Sequence, residues 1–133
     1  MNSPSEDVKD FLEAESIGLT FGLNLFISEI PDGGAVPDLA VGVFDSGGAA
    51  PRVDYTEERP TVQVLVRGNR GGYLEAHAMA QTCRDALGGK ANETINGARY
   101  ILVRCLTDVL SVGYDENHRP LLSVNFELIR TVA

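Results

Sequence analysis

The sequence has few of the residues that bind metals or carry out redox chemistry. Its 133 residues include no tryptophan, two histidines, two methionines and two cysteines. Two cysteines cannot complete a zinc site by themselves, and the spacing between Cys83 and Cys105 matches no redox pair. Because no export signal accompanies them, we expect two small buried thiols and no disulfide. The sequence therefore predicts neither a metal nor a cofactor.

Long apolar runs and targeting signals are also absent. No window approaches the roughly 18 apolar residues that a membrane span requires. The first seven residues, MNSPSED, contain no basic stretch followed by an apolar one, so they do not predict a signal peptide. A chain of 133 residues is long enough to bury its own core. We expect one domain over residues 1–133, no membrane partner, and a protein that stays in the compartment where it is made.

Basic residues are scarce in the first part of the chain. Residues 1–58 hold twelve acids and two bases, whereas residues 59–133 hold seven acids and nine bases. The resulting net charge of −8 argues against nucleic acid as the main partner, and we expect no sequence-specific contact with it. The asymmetry has two interpretations: an ordinary solvated acidic surface, or complementary head-to-tail contacts between copies of the chain.

Two segments have the pattern of helices. Ser3 can cap the first helix, Pro4 suits its first turn, and Gly18 follows its end. The second helix begins near Tyr73, carries small and apolar residues along one stripe, and stops before Gly88.

Several stretches alternate or are apolar enough to form strands: 19–30, 39–44, 61–67, 98–106, 108–114 and the region around 122–128. The dipeptide Asn96-Gly97 predicts a hairpin turn. The fold class that we predict is α+β, with a largely antiparallel (mixed) sheet of about five strands and two main helices on one face.

A long loop is predicted at residues 45–60, where glycine, proline and charged residues occur without any period. Loops longer than about 12–15 residues within a compact domain are usually functional or disordered. We therefore expect the loop to supply contacts to a neighbouring subunit, and its interface candidates are Arg52, Asp54, Tyr55, Glu57, Glu58 and Arg59.

The glycine-rich turn at residues 67–72 adds Arg67 and Arg70 to these candidates. A turn between a strand and a helix N-terminus can bind an anion, so one hypothesis is a small anion- or nucleotide-binding module. The segment lacks the Gly-Lys-Ser/Thr sequence of a phosphate-binding loop. The other hypothesis is that both arginines pair with carboxylates of a neighbouring subunit.

Neither histidine suggests catalysis. His77 lies on a predicted helix, His118 lies in a predicted turn, and neither is near an obvious nucleophile in the sequence. We identify no catalytic residue and expect a protein that is not an enzyme.

Three segments resemble phage minor capsid and tail terminator proteins. The run RPTVQVLVRG at 59–68 resembles a strand of that family, and YLEAHAMA at 73–80 resembles the helix that follows it. The closing run DENHRPLLSVNF at 115–126 resembles the family's final hairpin.

This resemblance implies a structural virion protein that forms a homo-oligomeric, typically hexameric, ring. Such a ring would cap the tail tube, end its polymerisation and join the tail to the neck of the head. The implied partners are the tail tube protein on one face and a neck or head-completion protein on the other. The implied location is the head-proximal end of the tail, after assembly in the host cytoplasm. A head-completion or connector protein of similar size remains the alternative.

Overall fold

A computed structural model describes residues 1–51 and 56–132 of the chain. In this part, helix α1 spans Pro4–Ala14 and helix α2 spans Tyr73–Leu87. The seven strands are β1 (Leu25–Ile27), β2 (Ala40–Gly48), β3 (Pro60–Arg67), β4 (Ala91–Ile95), β5 (Ala98–Cys105), β6 (Leu110–Tyr114) and β7 (Pro120–Val132). The predicted α+β class is confirmed, whereas the prediction of about five strands is wrong.

All described strands belong to one sheet in the order β1-β2-β3-β7-β5-β4, and β6 pairs with β7 outside that path. Strand β1 runs parallel to β2, and every other pairing is antiparallel. The long strand β7 is central to this arrangement. It pairs with β3 along one side, while β5 and β6 share its other side end to end.

Helix α1 begins where its sequence predicts. The Ser3 hydroxyl accepts a hydrogen bond from the backbone N–H of Glu6 at 3.3 Å, and Pro4 lies in the first turn. Val8, Phe11 and Leu12 form the buried stripe of this helix. The corresponding stripe of α2 consists of Ala76, Ala80, Cys83 and Leu87. Helix α1 packs against β1, β2 and β3, and α2 packs against β3, β5 and β7.

The core lies between these helices and alternate residues of the central strands. In β3 the core residues are Val62, Val64 and Val66, and in β7 they are Leu122, Val124, Phe126 and Leu128. All seven are fully buried, as their period of two predicts. The same cluster contains the stripes of both helices, so one continuous core joins the helices to the central strands of the sheet.

Three local expectations differ from the structure. Only three residues of the stretch 19–30 form a strand, because Asn24 closes a turn before it by accepting from Thr20 N–H and donating to the Gly18 carbonyl. Strand β2 continues to Gly48, four residues into the stretch expected as a loop. Strand β4 was not predicted, since its residues are exposed or only partly buried and have no apolar alternation.

The two cysteines have different environments. Cys83 is fully buried on α2, and burial raises the pKa of its thiol to about 12. Cys105 is exposed, so the prediction that both thiols lie in the core is wrong for this residue. It is the last residue of β5 and lies beside the C-terminal end of α2, near Arg84 and Gly88.

Candidate interaction surface

The predicted interface residues of the 45–60 stretch separate into three groups. Arg52, Asp54 and Tyr55 lie outside the described residues. The side chains of Glu57 and Arg59 pair with each other at 3.0 Å on the surface. Glu58 makes its contacts within its own subunit. Its backbone exchanges hydrogen bonds of 2.8 and 3.0 Å with the backbone of Arg130. Its carboxylate pairs with the Arg130 guanidinium at 3.2 Å.

Arg67 faces the interior of its own subunit. Its side chain is 4% exposed, and its guanidinium donates to the carbonyls of Ile30, Pro31, Pro37 and Asp38 at 2.9–3.3 Å. Burial and the nearby charge of Arg119 lower the pKa of Arg67. The expectation that Arg67 is an exposed interface residue is therefore wrong, because this side chain is used to close the loop between β1 and β2.

Arg70 remains exposed in the turn before α2. Gly72 caps that helix, and no side chain of the described residues completes the cap. The two arginines of the 67–72 turn consequently do not converge on a common anion. The anion-binding hypothesis loses one of the two side chains on which it rests.

A second buried arginine, Arg119, lies beside Arg67 and binds three carboxylates. Its guanidinium contacts Asp32 at 2.6 Å, Asp115 at 2.7 Å and Asp38 at 3.0 Å. Burial alone would lower the pKa of Arg119, but these hydrogen bonds outweigh burial and raise it. Asp32 and Asp38 belong to the loop that Arg67 closes, and Asp115 belongs to the turn between β6 and β7. This group of five residues is called the Arg119 cluster below.

A separate cluster forms around Arg130 on β7. Its guanidinium contacts the Tyr100 hydroxyl at 3.2 Å and the Asp7 carboxylate at 3.5 Å. Asp7 also accepts hydrogen bonds from Tyr100 and from the Asn96 side chain. Burial, followed by the hydrogen bond to Asp7, raises the pKa of Tyr100. Together with Glu58, these residues form the Arg130 cluster, which ties α1 to the far end of the sheet.

The two clusters account for part of the uneven charge of the sequence. Acids of the first part pair with arginines of the second part inside one subunit, as Asp32 and Asp38 do with Arg119. Lys90 and Glu15 form another such pair at 2.6 Å. These charges are satisfied within the subunit, so this part of the asymmetry does not argue for head-to-tail contacts between copies.

Strand β6 carries an exposed strip of apolar side chains. Leu110, Val112 and Tyr114 are 51%, 47% and 55% exposed. Strand β6 pairs with β7 along one edge, and no strand in the described part pairs with its other edge. Tyr114 stacks on His118 with ring centroids 4.6 Å apart. The sequence did not predict this surface, and simple alternation would not give it, because a bulge between Ser111 and Gly113 shifts the pairing of β6 with β7.

Over residues 1–51 and 56–132, no group of three or more histidine, cysteine, aspartate or glutamate side chains is placed to hold a metal ion. The helices described are too short and too polar to cross a membrane.

Comparison with known proteins identifies the family. The model of the family described as "Bacteriophage tail terminator protein" matches residues 11–132. The chain belongs to this family. A tail terminator is a structural protein of the virion, and the resemblance seen in the sequence is thereby confirmed.

The fold of the chain also matches a solved structure. A chain from the "Virion of native gene transfer agent (GTA) particle" superposes with a TM-score of 0.75 at 15% sequence identity. The match covers 98% of this chain and 99% of that one, so the two share the whole fold. A search of curated proteins finds no match.

Proposed function

We propose that the chain forms a ring that binds the growing end of a phage tail tube, stops its extension and joins the tail to the neck of the head. The observation that carries this proposal is the family match over residues 11–132. The ring would be hexameric, with the tail tube protein on one face and a neck or head-completion protein on the other. It would assemble in the host cytoplasm and occupy the head-proximal end of the tail.

Such a function needs shape complementarity and steric exclusion, and it needs no catalytic group. A bound subunit must present to the tube a face that fits and to solvent a face on which no further tube subunit can add. Several weak contacts made by one ring act together, because the first contact raises the effective concentration of the rest. The ring can then out-compete a single incoming tube subunit.

The exposed strip of β6 supports this proposal. Large apolar side chains are exposed there beside an unpaired strand edge, a combination that monomeric proteins usually avoid. Contacts between subunits or with the tube would cover them. The candidates that stay proposed as contact residues are Arg52, Asp54, Tyr55, Glu57, Glu58, Arg59 and Arg70. The buried Arg67 does not stay among them.

The proposal is tested by disrupting the gene in a phage that encodes this chain. Electron microscopy should then show filled heads and unattached tails, many of them abnormally long. Supplying the intact chain from a plasmid should restore tails of uniform length. This complementation separates loss of the protein from effects on neighbouring genes.

Two other results would contradict the terminator function. Unattached tails of normal length would indicate a connector that joins finished tails to heads. Empty or unstable heads would place the protein at the head, as a head-completion protein. Each outcome is visible in the same micrographs.

A further inference from the structure

The loop between β1 and β2 has almost no backbone hydrogen bonds of its own. Among residues 31–38, the structure describes one backbone hydrogen bond within the loop. The Val36 N–H donates to the Gly33 carbonyl at 3.3 Å. The two ends of the loop instead meet on the buried guanidinium of Arg67. A compact surface loop whose ends lie close together is a common carrier of function.

The turn between β6 and β7 is organised by a different residue. The Asp115 carboxylate accepts from the backbone N–H groups of Asn117 and Arg119 at 3.0 and 2.9 Å. Its second oxygen accepts from the Arg119 guanidinium at 2.7 Å. The conformation of this turn therefore depends on where the Arg119 side chain is held.

Arg119 is the direct link between these two surface segments. One guanidinium binds Asp115 of the turn through Nε and binds Asp38 and Asp32 of the loop through its other two nitrogens. The side chain is 8% exposed, so it is packed in place, whereas Asp32 and Asp38 are 63% and 51% exposed. Loss of a carboxylate on either side weakens the hold of that side on the guanidinium, although on the loop side the second carboxylate remains.

We infer that Arg119 couples the 31–38 loop to the 115–118 turn, so that the two segments become ordered or disordered together. Coupling between two segments is reciprocal in free energy. If order in the loop stabilises the turn, order in the turn stabilises the loop by the same free energy. The turn follows directly on the exposed strip of β6. A contact made at the end of that strip would then change the order of the loop. The coupling is a property of the free chain and does not depend on the proposed function.

Amide hydrogen exchange measured by NMR on the full chain tests this inference. In Asp38→Asn, the readout is the distant turn, through the amides of Asn117 and Arg119. In Asp115→Asn, the readout is the distant loop, through the amide of Val36. Each asparagine keeps one oxygen that can accept a hydrogen bond, removes the charge and replaces the second oxygen with an NH2 donor. The side chain in Asp115→Asn therefore cannot accept from both Arg119 and the backbone N–H groups of the turn. Asp38 is 51% exposed and Asp115 is 21% exposed, so removal of either charge should have a modest effect, and we expect exchange at the distant amides to rise about two- to fivefold in both variants.

A matched control is Asp85→Asn, which removes an exposed carboxylate paired with Arg84 at 3.1 Å, away from both segments. It should leave the amides of the loop and the turn unchanged. A second measurement needs no variant: raising salt to about 1 M screens the exposed carboxylates and should accelerate exchange in both segments together. Faster exchange only in the segment that carries the substitution, or a response of one segment alone to salt, would overturn the coupling.

Discussion

In both arginine clusters a buried guanidinium pairs with carboxylates, but the exposure of the carboxylates differs. In the Arg130 cluster the partner Asp7 is completely buried, and the arginine side chain itself is 7% exposed. In the Arg119 cluster the arginine is equally buried, but Asp32 and Asp38 are more than half exposed. One cluster ties a helix to the sheet inside the molecule, and the other holds a surface loop against a turn.

This difference determines what each cluster contributes. A buried carboxylate that loses its arginine keeps its charge in a medium of low dielectric, and breaking such a pair typically costs about 3–5 kcal/mol. An exposed carboxylate that loses its partner is hydrated at once, and the pair is worth about 0–1 kcal/mol. The ion pairs of Arg130 should therefore govern stability, whereas the ion pairs of Arg119 with exposed carboxylates should govern local order.

The largest effect is expected for Arg130→Met, which leaves the buried charge of Asp7 without its cation. We expect the free energy of unfolding to fall by about 3 kcal/mol, measured by urea denaturation. The matched control is Arg104→Met on the neighbouring strand, since Arg104 is 55% exposed and pairs with Glu127 at 2.7 Å. That control should change stability by less than about 0.5 kcal/mol. Equal losses in the two variants would contradict the distinction between the clusters.

An intermediate effect is expected for Arg67→Met, because this guanidinium donates hydrogen bonds to four carbonyls at the two ends of the 31–38 loop. The freed carbonyls can turn toward water, so we expect a loss of about 1–3 kcal/mol. The loop should exchange its amides faster, while Val64 in the core of β3 keeps its protection. An unchanged free energy of unfolding would mean that Arg67 does not hold the two ends of the loop together.

A small effect is expected for Asp38→Asn. The carboxylate is 51% exposed, so its loss should lower the free energy of unfolding by less than about 1 kcal/mol. Urea denaturation at low and high salt measures it, and the difference from the parent chain should shrink as salt rises. A loss as large as that of Arg130→Met would show that exposure does not separate the two clusters.

The smallest effect on stability, and a large one on assembly, is expected for Leu110→Ser on the exposed strip of β6. Exposed substitutions usually change stability by less than about 0.5 kcal/mol. If the strip is a contact between subunits or with the tube, this variant should assemble poorly in sedimentation experiments and fail to restore tail length in the disrupted phage. The control is Leu74→Ser, an 81% exposed leucine on α2. Normal assembly and tail length with Leu110→Ser would remove β6 from the proposed contacts.

The sequence predicted those parts of the fold that depend on local signals. The cap at Ser3, the stripe of α2 and the alternation of Val62 to Val66 all appear in the structure as expected. Strand β4 could not be predicted from its own polar residues, because it exists through its pairing with β5.

The candidate site was harder to predict for the same reason. Arg67 reaches carbonyls that lie 29 to 37 positions away, and Arg119 reaches Asp32 across 87 positions. No local pattern distinguishes an arginine that is buried by such partners from one that is free on the surface. The imbalance of charge between the two parts of the chain was visible, but its pairing within one subunit required the fold.

The most direct test of the terminator function is the addition of the purified chain to tail tubes that are extending in vitro. Tube length is followed by electron microscopy, and an antibody against the chain marks its position. We predict that extension stops after the chain is added, with the label at one end of each tube. Tubes that continue to lengthen with the chain bound at their ends, or that carry the label along their sides, would contradict the account.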